Sequence, residues 1–253
     1  MKDVSVLGCG WLGKPLAISL LKKDFSIKGS TTSLEKLKTL QDLEIEPFLV
    51  DISSDKNFTN FLSSDILIVA ITSKEVDAFK KLMQQIESST IKKVIFISST
   101  SVYPNLNQVM NEDNETLDTP LFQIEELFRN NQKFETTIIR FAGLFGNNRN
   151  PGNWFKNGRR IPNPEGFVNM IHQDDCIAII EEIIKQNYWN TTFNACSNHH
   201  PTRREFYTNA KLKLGLETPD FKENETLQYK IINSDKVQEK LNYQFKHDNL
   251  LEL

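Results

Sequence analysis

Three of the chain's ten glycines fall within six residues, Gly8-Cys9-Gly10-Trp11-Leu12-Gly13. They follow Val4 to Leu7, a short apolar run of buried-strand length. They precede Lys14 to Lys22, where Leu16, Leu20 and Leu21 share one helical face. A G-x-G-x-x-G between a strand and a helix, at the head of a βαβ pattern, is the fingerprint of a dinucleotide site. Gly8 permits the tight turn, Gly10 lets the backbone approach a pyrophosphate, and Gly13 lets the helix pack close to the strand. The helix N-terminus, with Trp11 and Leu12 in the turn, offers free N–H groups and a positive dipole to phosphates. A glycine-rich turn that holds no ligand is the plainer alternative.

The rest of the chain alternates in the same way. Strand patterns at Phe25 to Gly29, Glu46 to Val50, Asp65 to Ile71, Lys93 to Ile97 and Thr136 to Arg140 are interleaved with helical patterns. These run over Leu34 to Leu40, Val76 to Ile86 and Pro120 to Phe128, the last opened by Thr119 as cap. Such alternation predicts an α/β fold, a Rossmann-type doubly wound parallel sheet. After Gly146 the texture changes to an irregular stretch rich in Asn, Gly, Pro and Arg up to Gly166. Cys176 to Lys185 returns to helix and Thr192 to Ala195 to strand. The reading is a core over 1–146 and 171–197, with a small C-terminal substrate lobe from 147–170 and 198–253. That lobe ends in two short helices and a tail.

Composition narrows the function. Charged residues make up 25% and the net charge is -3, which argues against a nucleic-acid partner or an anionic membrane surface. The longest apolar run, Ile66 to Ile71, is far short of the ~18 residues of a membrane span. Three scattered cysteines (Cys9, Cys176, Cys196) give neither a disulfide framework nor metal-ligand spacing, so a cytoplasmic setting is expected. No metal is expected.

The end of the second strand bears on NAD against NADP. An acid near 20 residues beyond the glycines would hold the ribose hydroxyls. Gly29-Ser30-Thr31-Thr32-Ser33 stands there instead, with Lys36 nearby, which suits a 2′-phosphate. NADP is therefore the expected cofactor, with NAD as the alternative and Thr31, Thr32 and Ser33 as its contacts. The same hydroxyls can simply cap the next helix. Asp51 and Ile52 after the third strand, Ala70 after the fourth and Ser98 after the fifth are further candidate contacts. Asp51 equally suits a turn.

At Ile97 to Pro104 the chain reads ISSTSVYP directly after a strand. With the glycines, the RFAGLFG of Arg140 to Gly146 and the IHQDD of Ile171 to Asp175, this resembles the extended short-chain dehydrogenase/reductase superfamily. That is the group of nucleotide-sugar epimerases and dehydratases. The TRREF segment and the NMIH run look like an atypical epimerase/dehydratase-like branch, and the resemblance spans nearly the whole chain. It implies catalysis by a Ser or Thr with a Tyr-x-x-x-Lys pair, in which the lysine and nicotinamide make the phenol an acid/base near neutrality. Ser99 matches the serine. The helix from Pro120 contains neither Tyr nor Lys, and among five tyrosines only Tyr207 has a lysine four residues on, Lys211. That spacing is more simply a helix-surface pair.

The dyad is therefore missing, and Ser99, Tyr103 and Glu126 are the candidate catalytic groups. Glu125 and Glu126 stand where the pair would be, although two solvated helix acids are the simpler reading. In the irregular stretch Arg149 and Trp154, with Arg159 and Arg160, can clamp an anionic or nucleotide-like substrate. His172 is read as positioning a strand–helix turn, with Asp174 or Asp175 capping the helix from Cys176. Arg140 is read as pairing internally. Two functions remain: an NAD(P)-dependent oxidoreductase or epimerase/dehydratase-like protein acting on a small polar or nucleotide-linked substrate, or a non-catalytic NADP(H)-binding sensor. A homodimer through Val76 to Ile86 and Pro120 to Phe128 is implied by the resemblance alone.

Overall fold

In the computed structural model, residues 2–155 and 158–252 are described. The elements run β1 (Asp3–Leu7), α1 (Gly13–Leu21), β2 (Ser26–Thr31), α2 (Glu35–Gln41), β3 (Glu46–Leu49), β4 (Ile66–Val69), α3 (Val76–Glu87) and β5 (Lys93–Ser99). They continue with β6 (Gln108–Met110), α4 (Pro120–Arg129), β7 (Glu135–Phe141), β8 (Gly143–Phe145), β9 (Met170–His172), α5 (Gln173–Gln186), β10 (Thr191–Ala195), α6 (Arg203–Leu212), β11 (Lys230–Ile232) and α7 (Asp235–Leu241).

Seven strands form one parallel sheet in the order β10-β7-β5-β4-β1-β2-β3. The order runs outward from β1 in both directions, the doubly wound arrangement that the alternation predicts. The β4 residues Ile66 to Val69 are all buried, as a strand covered on both faces requires. Thr119 caps α4 as read, its hydroxyl accepting from Phe122 N–H at 3.3 Å with Pro120 in the first turn. No described helix is long and apolar enough to cross a membrane.

Contacts divide the chain into two compact units. The first comprises Met1–Ser98, Asp118–Ile139 and Ile180–Thr192, and the second Ser99–Leu117, Arg140–Ile179 and Phe193–Leu253. Besides the lobe read from sequence, the second unit thus takes in Ser99–Leu117 and the segments 140–146, 171–179 and 193–197. There β6 pairs in parallel with β11, Val109 opposite Ile231, across more than a hundred residues of chain. A second parallel pair joins β8 to β9. Around it packs a cluster of Phe145, Ile161, Val168, Met170, Phe206 and Tyr207. Helix α6 opens with a capping box, Thr202 and Glu205 each bonding the other's backbone N–H.

Three local readings are corrected. Strand β2 runs on through Thr31, and α2 starts after Leu34 with no side-chain cap, so the hydroxyls at 31–33 are not its N-cap. Helix α5 starts at Gln173, so Asp174 and Asp175 lie inside its first turn and do not cap it. Glu125 is completely buried and is not a solvated helix acid.

Candidate functional site

The glycine turn of the first unit is built for a close approach. Gly8 takes φ +97°, and a Cβ on it would come within 2.6 Å of Ile71 Cγ2 and 2.9 Å of the Ala70 carbonyl oxygen. A Cβ on Gly13 would strike the Gly8 carbonyl oxygen, so the helix start lies directly against the turn. Gly10 differs: it is exposed, and a Cβ there would project into open space with nothing within 4 Å. Helix α1 begins with no side-chain cap and no acid in its first turn. A backbone left open beside an uncapped helix N-terminus fits a pyrophosphate. Trp11 is half-buried and Leu12 is buried within the same turn.

Ser30 ties the turn to β2. Its hydroxyl accepts from Gly8 N–H at 2.9 Å and its carbonyl from Cys9 N–H at 2.8 Å. Ser30 is therefore spent on the turn itself. Burial pushes the Cys9 thiol up to about 12, so it is no reactive thiolate. Beyond Ser30, Thr31 Oγ1 accepts from Ser33 N–H at 3.2 Å, and Thr32 is exposed. Ser33 hydrogen-bonds the Glu35 carboxylate, which lowers that acid's pKa. Asp51 makes a turn, Oδ1 accepting from Ser53 N–H at 3.0 Å, and Ile52 beside it is buried. Ala70 is half-buried just past β4, where its N–H donates to the Leu7 carbonyl at 2.8 Å. Ser98 is buried and donates to Glu125 Oε1 at 2.5 Å. Glu126, partly exposed, is ion-paired with Arg129.

The second unit contains a cavity of about 900 Å³. Ser99 and Trp154 line it, with Phe167, Tyr207 and Tyr229 as further aromatic walls. Arg203 and Lys230 also face it. Lys230 is half-buried, its Nζ donates to the Tyr103 carbonyl at 2.5 Å, and burial lowers its pKa. Among the described residues neither Arg203 nor Lys230 has a carboxylate within ion-pair distance. Sequence reading missed both, although Arg203 lies in the TRREF segment already singled out. Arg149 is exposed on a turn, exchanging backbone hydrogen bonds with Gly146, and does not line the cavity. Arg159 and Arg160 are exposed, Arg159 lying 5.4 Å from the Phe155 ring centroid.

Tyr103 is 1% exposed. Its hydroxyl accepts from Arg140 Nη1 at 2.6 Å and donates to Asn194 Oδ1 at 2.9 Å. Burial raises its pKa. The pairing of Arg140 is thus with Tyr103. Ser99 Oγ accepts from Ser101 N–H at 3.1 Å, capping a short 3-10 turn while facing the cavity. Tyr207 and Lys211 are both buried, and Tyr207 packs 5.0 Å from the Phe155 ring.

Comparison with known proteins agrees with this geometry. Residues 3–122 match the family model for the NAD binding domain of 6-phosphogluconate dehydrogenase. Protein YeeZ of Escherichia coli strain K12 is 29% identical over 272 residues, spanning 99% of this chain and 98% of YeeZ. A functionally unknown conserved protein from Silicibacter pomeroyi superposes with a TM-score of 0.84 at 18% identity, over 100% of this chain and 97% of that one. The UDP-glucuronic acid 4-epimerase from Bacillus cereus, solved in complex with NAD, superposes with a TM-score of 0.80 at 17% identity, over 99% and 93%. The chain accordingly has the Rossmann-type α/β fold that these NAD-dependent epimerase/dehydratase structures share, and its N-terminal segment is similar to an NAD binding domain.

Proposed function

We propose that the chain is an NADP(H)-dependent, epimerase/dehydratase-like oxidoreductase that binds an anionic, nucleotide-linked substrate in the cavity of the second unit. The observation that carries this is the pair Arg203 and Lys230, two cations with no carboxylate in ion-pair distance among the described residues, in an aromatic-walled cavity that Glu225 also lines. A half-buried cation left without an acidic partner is retained against its desolvation cost when a ligand supplies the anion. Trp154 and Tyr229 line the same space with aromatic surface that suits a planar base or a sugar. Ser99 presents a hydroxyl to the same space. The dinucleotide supplies hydride chemistry, and the protein supplies binding and orientation. Gly8, Gly10 and Gly13 would hold the pyrophosphate, with Thr31, Thr32, Ser33 and Lys36 toward the 2′-phosphate. NAD is favoured instead by one observation, the Glu35 carboxylate standing beside Ser33.

A second reading, a non-catalytic NADP(H) sensor, is favoured by helix α4. It turns Glu125 to Ser98 where the family places its tyrosine and lysine. A homodimer through α3 and α4 is proposed with either reading, and light scattering tests it.

The deciding experiment is thermal unfolding with NADP, NADPH, NAD and NADH, then with UDP-glucose or UDP-glucuronic acid added. A ligand at 100 times its Kd stabilises by about 2.7 kcal/mol. A shift with a dinucleotide and a further one with the nucleotide sugar, lost in Arg203→Met, supports the enzyme. A dinucleotide shift alone, with no turnover across a nucleotide-sugar panel, supports the sensor. No shift with any dinucleotide removes both.

A further inference from the structure

Three side chains of the second unit that take no part in the foregoing sites meet at one point. His172 ends β9, Asp174 lies in the first turn of α5, and His247 belongs to the C-terminal segment. Asp174 Oδ2 lies 3.5 Å from His172 Nδ1 and 3.3 Å from His247 Nε2. All three donor atoms fall within 4.8 Å of one another. Tetrahedral zinc with ligand bonds of about 2.0–2.2 Å has ligand–ligand edges of roughly 3.3–3.5 Å.

The two imidazoles are held by their surroundings. Gly146 takes φ +112°, and a Cβ there would strike His172 Nε2, so the backbone closes over that edge of the ring. The opposite nitrogen, Nδ1, accepts from Asp174 N–H at 3.2 Å. An accepting Nδ1 puts the ring proton on Nε2, the tautomer a metal needs at Nδ1, and the ion would take over the lone pair that now faces the Asp174 N–H. His247 is placed by Asp175, whose buried carboxylate accepts from Lys246 N–H at 2.7 Å, His247 N–H at 3.1 Å and the Tyr243 hydroxyl at 2.6 Å. The residue next to one ligand thus orients another, as the outer partners of metal sites do. Asp174 is half exposed, which leaves an entry path and a coordination position for water.

We propose that His172, Asp174 and His247 form a three-ligand site for a divalent transition-metal ion of the zinc class. The ion would fasten the C-terminal segment to the β9–α5 junction. Two imidazoles with one carboxylate suit zinc, nickel or copper and disfavour magnesium and calcium, which take oxygen donors.

The test uses the full chain without an affinity tag, treated with EDTA and desalted, then titrated with Zn²⁺ against a chromophoric chelator. The expected result is one equivalent bound per chain with a rise in Tm, and no such effect from Mg²⁺. His247→Gln and Asp174→Asn each weaken Zn²⁺ binding about tenfold or more, while His199→Gln, outside the cluster, leaves it unchanged. Asp174 is exposed, so its variant keeps the fold and its far-UV spectrum. Wild-type protein without saturable one-equivalent binding overturns the site. So does undiminished binding by folded Asp174→Asn, or loss of binding in His199→Gln.

Discussion

Ser98 donates a hydroxyl hydrogen bond to Glu125 Oε1 at 2.5 Å, inside a helix–sheet contact where Glu125 has no exposure. The other carboxylate oxygen lies 3.2 Å from Arg129. Replacing Glu125 by Ala strands the Ser98 hydroxyl and opens a void, for a loss of about 2–4 kcal/mol. For a chain of this size that lowers Tm by roughly 5–15 °C. Glu125→Gln, which keeps the acceptor, loses less. Calorimetry of the two variants checks the order, and equal Tm values would show the contact to be unimportant.

Tyr103 distinguishes a structural hydroxyl from a chemical one. Tyr103→Phe leaves the guanidinium of Arg140, 2% exposed, and the Asn194 amide each short of a partner. The expected loss is about 1–3 kcal/mol of stability with dinucleotide affinity unchanged. Were turnover to vanish at an unaltered Tm, the phenol would be acting on substrate.

The glycine turn separates binding from folding. Gly10→Val projects into open space, so the fold survives while the thermal shift from dinucleotide disappears. Gly13→Ala drives a methyl into the Gly8 carbonyl oxygen and lowers stability even without ligand. Thermal scans with and without nucleotide check both. Dinucleotide bound normally by Gly10→Val would sink the cofactor assignment.

His200 supplies a pH dependence. Burial holds its pKa below the ordinary 6.5, and its Nδ1 lies 3.2 Å from the Val168 carbonyl. The unfolded chain takes up a proton near pH 6.5 that the folded chain accepts only at lower pH. This contribution is therefore fully present above the unfolded pKa and declines as pH falls below it. His200→Asn should flatten the fall in Tm between pH 7.5 and 5.5. Identical slopes for variant and wild type would rule His200 out.

The βαβ order and the glycine turn were legible because each rests on local pattern: apolar runs of strand length, amphipathic spacing and glycine placement. What escaped was non-local. The strands β6 and β11 are three residues each and gain their identity only by pairing with one another. Nothing in the sequence sets Ser30 apart from the hydroxyls that follow it, yet its bonds to Gly8 and Cys9 tie it to the turn. Glu125 and Glu126 are adjacent on one helix, and nothing in their sequence says which is buried. The cavity gathers Ser99, Trp154, Arg203 and Lys230 from four distant segments. For that reason Arg203 could not be placed beside Trp154 from sequence, which pointed to Arg149.

Every residue lining the cavity comes from the second unit, whereas the glycine turn and the hydroxyls of Thr31, Thr32 and Ser33 belong wholly to the first. Under the proposed function, recognition of substrate and choice of dinucleotide would therefore draw on disjoint sets of codons. Mutational drift in one set leaves the other untouched. On that proposal a single inherited coenzyme platform could be paired with many recognition surfaces, each revised by substitutions in segments outside the glycine turn.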